Sequence, residues 1–336
     1  MDPLSQGTVG AAFAQSFANK NNIFKIGFIG FLAGLTPDLD VLIKSSTDPI
    51  LSLEYHRQFT HSLIFIPFGS LIFAVLIFPL VKNSLSFKTV YFASLLGYST
   101  HGLLDACTSY GTQLFWPFSN ERVSWNNISI IDPLFTIPTL IFIGLAIKTK
   151  RKFFSFFSIG WVVFYLSLGL VQYERALITA YDLAESRGHN AERLTLKPSF
   201  GNIILWKSIY KHKKTFYVDA IRTVQSSTVC IGDSIKIFDY QEHLPGLDRE
   251  SQQASDIERF RWFSQDYIGF VEAKNLVTDV RYSLLPNQIE PMWGLVIDDQ
   301  RKTTEHAIWW TGRDLDEREW DLFIDMLSGK SCKIQT

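Results

Sequence analysis

Residues 62–81 read SLIFIPFGSLIFAVLIFPLV, a run that contains no charged side chain. A helix of about 20 apolar residues is long enough to cross the hydrocarbon core of a bilayer. Three further runs, 89–105, 130–147 and 153–173, are also apolar enough and long enough to span it. Together the four runs predict a multi-pass α-helical membrane domain.

The N-terminal segments are apolar but shorter or interrupted. Segment 23–43 begins as an apolar helix and is broken by Thr-Pro-Asp at 36–38. Segment 7–18 is rich in small residues and too short to span. We therefore predict four to five spanning helices, with the two N-terminal segments as a candidate re-entrant pair. No basic region precedes the first apolar run, so we expect no cleavable signal peptide.

Charge divides the chain into two parts. Residues 1–173 contain 19 of the 65 Lys, Arg, Asp and Glu residues, together with 21 of the 28 Phe. The mean hydropathy of +0.09 thus averages a lipid-embedded part and a soluble part, which excludes a disordered chain or a single soluble globule. We predict a transmembrane domain over 1–173 and a soluble domain over 174–336. The net charge of -1 argues against nucleic acid as a partner, and the three scattered Cys indicate no disulfide framework.

The second part is typical of an α+β domain. Residues 174–197 are charged and favour a helix that leaves the membrane, and 256–265 and 317–327 have the pattern of amphipathic helices. Short β-rich runs bounded by Gly, Pro and Asp predict strands. These runs are 202–206, 215–222, 228–238, 278–284, 292–298 and 305–310. The four histidines of this part show no ligand spacing, and we expect structural or solvated roles for them.

Basic residues in short loops orient the helices, because such loops favour the cytoplasmic side. The connection at 148–152 is basic, and the lysines at 20, 25, 82 and 88 fall on the same side when the helices are counted backwards. The opposite side receives only the three basic residues at 44, 57 and 122. Loops 36–61 and 106–129, and everything after 173, are then expected to be extracytoplasmic. For a bacterial cell this predicts a multi-pass protein of the cytoplasmic (inner) membrane with an extracytoplasmic C-terminal domain.

The ionisable residues of the apolar part gather at this predicted outer face. They occur in TPDLD at 36–40, HRQFTHS at 56–62 and HGLLD at 101–105, and Asp132 opens the fourth helix. Ionisable groups at membrane depth are costly unless they are paired, solvated or bound to a metal. Because separate clusters converge on one face, we favour a metal site or a polar catalytic site over coincidence.

The spacing within the clusters indicates how side chains can meet. His101 and Asp105, four residues apart on a helix, share one face. Asp38 and Asp40 can face one side only in an extended turn, which Pro37 favours at the preceding residue. Taken alone, the two carboxylates can also be solvated loop residues, and His101 and Asp105 can be a helix-stabilising pair.

Mixed imidazole and carboxylate ligands without thiolate suit Zn, Mn or Fe. Such ligands occur in sites that hold one or two of these ions. His56 and His61 can join one site only if their segment is a loop or a junction between a loop and a helix. We predict a divalent ion, with Zn first and Mn or Fe as alternatives. The candidate ligands are Asp38, Asp40, His56, His61, His101 and Asp105.

The motifs of the first part resemble a known family. The stretches MDPLSQGTVGAA, GLTPDLDVL, HRQFTHSL, HGLLDACTSYGTQLFWPFS and IIDPLFTIP are similar to those of the membrane-bound, metal-dependent hydrolases of the YdjM-like family. The resemblance covers roughly residues 1–175, and the second part is similar to the longer form of that family. It implies a metal-dependent hydrolase of the inner membrane that uses the six ligands above. More remotely, it implies kinship with helical zinc-dependent phospholipases C and single-strand nucleases, which cleave phosphoesters.

Four further residues are candidate catalytic groups. Arg57 suits an anionic oxygen of a phosphate or a tetrahedral intermediate, and Thr60 matches another position of the family motifs. Gln6 stands where many members of the family have His, and can hold a water or a substrate oxygen. Asp132 belongs to the same membrane face.

The function that we predict is hydrolysis by a metal-activated water of an ester or phosphoester in a membrane lipid or lipid-linked substrate. The alternative is a non-enzymatic membrane protein: a metal-coupled or proton-coupled transporter, or an envelope scaffold with a structural polar cluster. The cytoplasmic halves of 62–81 and 153–173 offer almost no polar path, which favours the enzyme. The sequence indicates no particular protein partner.

Overall fold

The computed structural model describes residues 1–312 and 317–330 and divides into two compact units. The first unit comprises Met1–Ile43, Tyr55–Val171 and Phe200–Asn202. The second comprises Lys44–Glu54, Gln172–Ser199 and the chain from Ile203 onward. A helical N-terminal region followed by a sheet-rich C-terminal domain is thus confirmed.

The N-terminal region is built from helices whose ends are set by local capping. Asp2 accepts a hydrogen bond from the backbone of Ser5 at 3.0 Å, and Ser86 caps the fifth helix at Thr89. The helices are α1 Pro3–Gln15, α2 Ile23–Leu35, α3 Leu51–Tyr55, α4 Ile66–Val81, α5 Phe87–Ala106, α6 Pro133–Thr149 and α7 Phe153–Ser186.

Two stretches of helix, Leu63–Val81 and Phe153–Ser186, are long and apolar enough to cross a membrane, and the shorter α6 is also apolar. The number of membrane-spanning helices, four to five, therefore stays a prediction.

Glycines allow α1, α2 and α5 to pack backbone against backbone. A Cβ atom added to Gly97 would lie 2.3 Å from the carbonyl oxygen of Gly30, and one added to Gly10 would lie 2.6 Å from that same oxygen. Small residues permit such close approach between helices in membranes. This packing brings the end of α2 next to α5, the helix on which His101 lies.

The second unit contains two antiparallel sheets. The first has the order β1-β2-β3-β4, with β5 also paired to β3, and the second has the order β6-β7-β8-β9. The first-sheet strands are β1 Arg193–Pro198, β2 Leu205–His212, β3 Thr215–Thr223, β4 Ser227–Cys230 and β5 Ser234–Lys236. The second-sheet strands are β6 Ile268–Val271, β7 Leu276–Asp279, β8 Trp293–Val296 and β9 Ile308–Thr311. The helices are α8 Tyr240–His243, α9 Gln252–Phe263 and α10 Glu317–Ser328.

The C-terminal end of the helix predicted over 174–197 is wrong. α7 stops at Ser186, where Gly188 adopts a left-handed φ of 68° and the backbone of His189 donates to Ala184 at 2.9 Å. The chain then forms β1, which pairs along its length with β2. The predicted strand 228–238 is two strands, β4 and β5, and β6 was not predicted.

Candidate metal centre

Four of the six candidate ligands meet at one point. The Nε2 atoms of His61 and His101 lie 3.0 Å apart. Oδ1 of Asp38 lies 3.4 Å from the first of these nitrogens and 3.3 Å from the second. For Oδ2 of Asp105 the distances are 3.2 and 3.6 Å. Ligand atoms around a tetrahedral zinc with bonds of about 2.0–2.2 Å are separated by roughly 3.3–3.6 Å. The four donors are therefore spaced as one small divalent cation requires.

Asp105 has an oxygen that suits such a cation. Its side chain is fully buried, and Oδ2 has no hydrogen bond within residues 1–312 and 317–330. A buried carboxylate oxygen without a hydrogen bond is costly, although Arg57 Nε lies 3.0 Å away as an ion pair. A cation between the four donors would remove that cost, so the residues fit a zinc ion.

His101 is oriented by the helix packing. Its Nδ1 lies 2.6 Å from the carbonyl oxygen of Gly34 at the end of α2. Donation from Nδ1 leaves the lone pair on Nε2, which faces the other donors. Metal-binding histidines are usually oriented by a second hydrogen bond of this kind.

His61 lies in a short 3₁₀ helix, Phe59–His61, just before the long apolar helix. Burial lowers the pKa of His61, but its close contacts with the carboxylates of Asp105, Asp38 and Asp40 outweigh burial and raise the pKa to about 10. The carboxylates of Asp38, Asp40 and Asp105 each lie within 3.4 Å of a ring nitrogen of His61. A divalent ion among them would bind His61 in its neutral form.

The extended turn expected for Asp38 and Asp40 is wrong. Residues Thr36–Leu42 form a 3₁₀ helix, in which positions two apart point in different directions because a turn has three residues. Asp38 faces the four-donor set. Asp40 accepts from Thr60 Oγ1 at 2.8 Å and lies 2.7 Å from Nδ1 of His56. It is therefore placed to orient other side chains.

His56 lies at the edge of the site. It is partly exposed, and its ring lies edge-on to the ring of His61 with centroids 5.9 Å apart. Asp38, Asp40 and His56 also form a group whose donor atoms lie within 4.8 Å of one another. Because this group shares Asp38 with the first set, the number of bound ions, one or two, remains a prediction.

Arg57 lies beside Asp105, and its predicted role toward an anionic oxygen of a substrate stays a prediction. Arg57 adopts a left-handed φ of 64° and is buried. Besides the ion pair with Asp105, its Nη1 donates to Thr108 Oγ1 at 3.0 Å, and its guanidinium lies 4.8 Å from the ring centre of Tyr110. Arg57 is therefore placed to hold Asp105.

Gln6 also contacts Asp105. Its Nε2 donates to Oδ1 of that carboxylate at 2.9 Å, and the Met1 amine contacts the same oxygen. Gln6 Oε1 is buried without a hydrogen-bond partner among the described residues. Sequence reasoning did not find Tyr98, which donates to the carbonyl oxygen of Thr60 at 2.7 Å. Its position one turn before His101 was the available clue.

Asp132 lies apart from these residues. It caps α6 by accepting from the backbone of Leu134 at 3.1 Å and of Phe135 at 3.3 Å, and Tyr165 donates to it at 2.8 Å. In the described part of the chain it belongs to neither candidate ligand group. The structure thus gives Asp132 a capping position.

Comparison with known proteins supports the family resemblance predicted for the N-terminal part of the chain. A family model described as YdjM inner membrane protein matches residues 1–176, so the predicted resemblance is confirmed. An uncharacterized protein, YfhP of Bacillus subtilis (strain 168), is 30% identical over 118 residues. That match covers 35% of this chain and 36% of the relative, so the chain spans about a third of its length. No solved structure matches the chain.

Proposed function

Because the chain belongs to the YdjM inner membrane protein family, we propose that it is a membrane-embedded, metal-dependent hydrolase. The proposed reaction is cleavage of an ester or phosphoester in a lipid or lipid-linked molecule. The proposal rests on one observation: Asp38, His61, His101 and Asp105 gather four donor atoms at the spacing of a metal site.

The exposure of the ligands indicates where a substrate enters. A zinc ion held by this set supplies, when bound, a water that is nucleophilic near neutral pH. Catalytic sites keep one side open to water and substrate. The side chain of Asp38 is 25% exposed, whereas those of the other three ligands are fully buried. The substrate therefore approaches from the side of Asp38.

His56 is the residue that we assign to proton transfer. It is partly exposed, and Asp40 holds its Nδ1 at 2.7 Å. A carboxylate at this position fixes the tautomer and orients the ring. His56 can then donate a proton to the oxygen of the leaving group as a general acid. Arg57 and Gln6 serve as positioning residues for Asp105.

The surface beside the ligands favours a lipid substrate. Leu39, Val41 and Leu42 are exposed on the same 3₁₀ helix that bears Asp38 and Asp40. Exposed apolar side chains next to a polar site are typical of surfaces that bind lipid or another apolar partner. We propose that they contact the acyl part of the substrate.

The same proposal includes a multi-pass topology with an extracytoplasmic second unit. The basic loops support it, as described above.

One observation favours a second function. Four protein ligands complete a tetrahedral shell, which is typical of structural zinc sites. In that case the ion stabilises a transporter or an envelope scaffold, and no ester is cleaved.

Hydrolysis by the purified full-length chain separates these functions. We expect the protein in detergent, loaded with zinc, to cleave bis(p-nitrophenyl) phosphate or a fluorogenic phospholipid. His56→Ala should keep the zinc of the four-residue set and lose about a hundredfold or more in rate, the usual contribution of a general acid. His243→Ala, outside the site, is the matched control. If zinc-loaded wild type is no faster on a broad ester and phosphoester panel than His61→Ala, the hydrolase proposal is wrong.

A further inference from the structure

The second unit contains a cavity that none of the four candidate ligands lines. It has a volume of 770 Å³ and is lined by residues within the segments 45–53 and 301–309. Pockets of about 300–1,000 Å³ are the usual size for small ligands. All the lining residues belong to the second unit.

One wall of the cavity is fixed by Arg259. Its Nη1 and Nη2 donate to the two oxygens of Asp48 at 3.0 and 2.9 Å, and its Nε and Nη2 donate to those of Glu54 at 2.6 and 2.8 Å. Paired bonds of this kind add geometric specificity as well as energy. The segment 45–53 is therefore held in place before any ligand binds.

His306 offers a hydrogen-bond acceptor to the cavity. Its Nδ1 lies 3.0 Å from both oxygens of Asp256, a buried carboxylate that also accepts from the backbone of Ala307 at 2.9 Å. Donation from Nδ1 to Asp256 directs Nε2 of the neutral ring to accept a hydrogen bond. Nε2 has no hydrogen-bond partner among residues 1–312 and 317–330.

The charges at this site disfavour ionic ligands. Asp48, Asp256 and His306 have the spacing of a metal group, but both carboxylates already accept from Arg259, at 3.0 and 3.1 Å. A metal ion would have to displace that guanidinium. An anion would meet more carboxylates than guanidiniums, since Arg301 is itself 3.5 Å from Glu305. A neutral ligand avoids both costs.

The remaining lining groups suit a ligand with many hydroxyls. Ser46, Ser52 and Thr304 line the cavity, and their hydroxyls make no hydrogen bond within the described residues. A hydroxyl both donates and accepts, so these groups complement other hydroxyls. Trp309 adds an aromatic side chain to the lining, and its ring is nearly perpendicular to that of Phe260, with centroids 6.2 Å apart.

We propose that this cavity binds a neutral, polyhydroxylated ligand of the saccharide class. Trp309 packs against the apolar face of a sugar ring, and Nε2 of His306 accepts a hydrogen bond from one of its hydroxyls. Ser46, Ser52 and Thr304 bind the other hydroxyls.

Direct binding of neutral trisaccharides tests this proposal. The full-length chain is purified in lauryldimethylamine oxide, because sugar-based detergents would compete. Chitotriose, cellotriose and maltotriose are titrated by calorimetry, with and without EDTA. We expect at least one to bind, independently of EDTA. Trp309→Ala should raise its Kd about tenfold, equal to 1.4 kcal/mol.

Ser52→Ala is a second cavity variant that should not disturb folding, because the Ser52 hydroxyl makes no hydrogen bond within the described residues. We expect it to raise the Kd several-fold, whereas Trp320→Ala, an exposed position on α10, leaves it unchanged. The proposal is overturned if no trisaccharide binds, if both cavity variants bind as wild type does, or if binding requires a divalent ion. Preference for inorganic phosphate over every trisaccharide also overturns it. None of these results depends on hydrolysis at the metal centre.

Discussion

Asp105 is the residue on which the polar groups of the first unit converge. Gln6 and the Met1 amine bind its Oδ1, while Arg57 lies 3.0 Å from Oδ2. These donors fix the carboxylate while leaving Oδ2 without a hydrogen bond in the described structure. An ion between Asp105 and the two histidines would therefore meet a ligand that is already oriented.

Residue types and spacing predicted which side chains gather, but not the part that each one plays. The i and i+4 relation of His101 and Asp105 follows from helix geometry alone. The divergence of Asp38 and Asp40 depends on a 3₁₀ helix, which the Thr-Pro sequence does not specify. The inward turn of Arg57 depends on a left-handed backbone, and an arginine gives no indication of that conformation.

Lys207 makes the stability of the second unit depend on pH. It lies directly opposite Lys197 on the paired strands β1 and β2, and both side chains are buried. Burial lowers the pKa of Lys207 to about 7, against the opposing effect of Asp279 and Asp233. Between about pH 7 and 10 the unfolded chain binds a proton that the folded chain lacks. Stability should therefore rise with pH across this window, by up to about 1.4 kcal/mol per unit.

Thermal unfolding of the full-length chain at several pH values in that window measures the effect. Lys207→Met should remove this contribution to the slope, because methionine has no proton to lose. Lys211→Met, at a partly exposed position on the same strand, should keep it. Equal slopes for Lys207→Met and wild type would show that Lys207 is protonated in the folded protein.

At the scale of elements, the contact between α2 and α5 decides where His101 lies. Gly97→Ala would place a Cβ atom 2.3 Å from the backbone of Gly30, so the helices must separate. We expect a loss of about 1–3 kcal/mol in stability. We also expect weaker zinc binding, because the hydrogen bond from His101 to Gly34 would be disturbed.

Gly144→Ala is the matched control, since nothing lies within 4 Å of the added Cβ atom. Unfolding temperature and zinc affinity against a competing chelator report the two effects. If Gly97→Ala is as stable as Gly144→Ala and binds zinc as tightly, the helix contact does not position the site.

Helices were predicted most accurately where the apolar pattern of the sequence is continuous. The apolar runs gave α4 to α6 to within a few residues, because burial in lipid or protein requires them to be continuous. The end of α7 depends on the left-handed conformation of Gly188. β1 forms because β2 is available to pair with it, and this long-range contact leaves little trace in a local pattern.

At the scale of the molecule, composition separated a helical region from a sheet-rich one. It gave no indication that Lys44–Glu54 belongs to the second unit. The ion pairs of Asp48 and Glu54 with Arg259 join residues more than 200 positions apart. No local property of the sequence reveals such a pairing.

Fusions to reporter enzymes test the proposed topology. An alkaline phosphatase after the last residue should be active, and a fluorescent protein there should be dark, because the second unit is proposed to be extracytoplasmic. The same reporters in the basic connection at 148–152 should give the opposite result. A fluorescent C-terminal fusion would place the second unit in the cytoplasm.

The metal content of the purified protein decides whether the four-residue set binds an ion. We expect about one zinc per full-length chain, or two if the group with His56 is also filled. His61→Ala and His101→Ala should lose that zinc, whereas His243→Ala, in the second unit, should keep it. Equal metal content in wild type and all three variants would contradict the assignment of Asp38, His61, His101 and Asp105 as a metal centre.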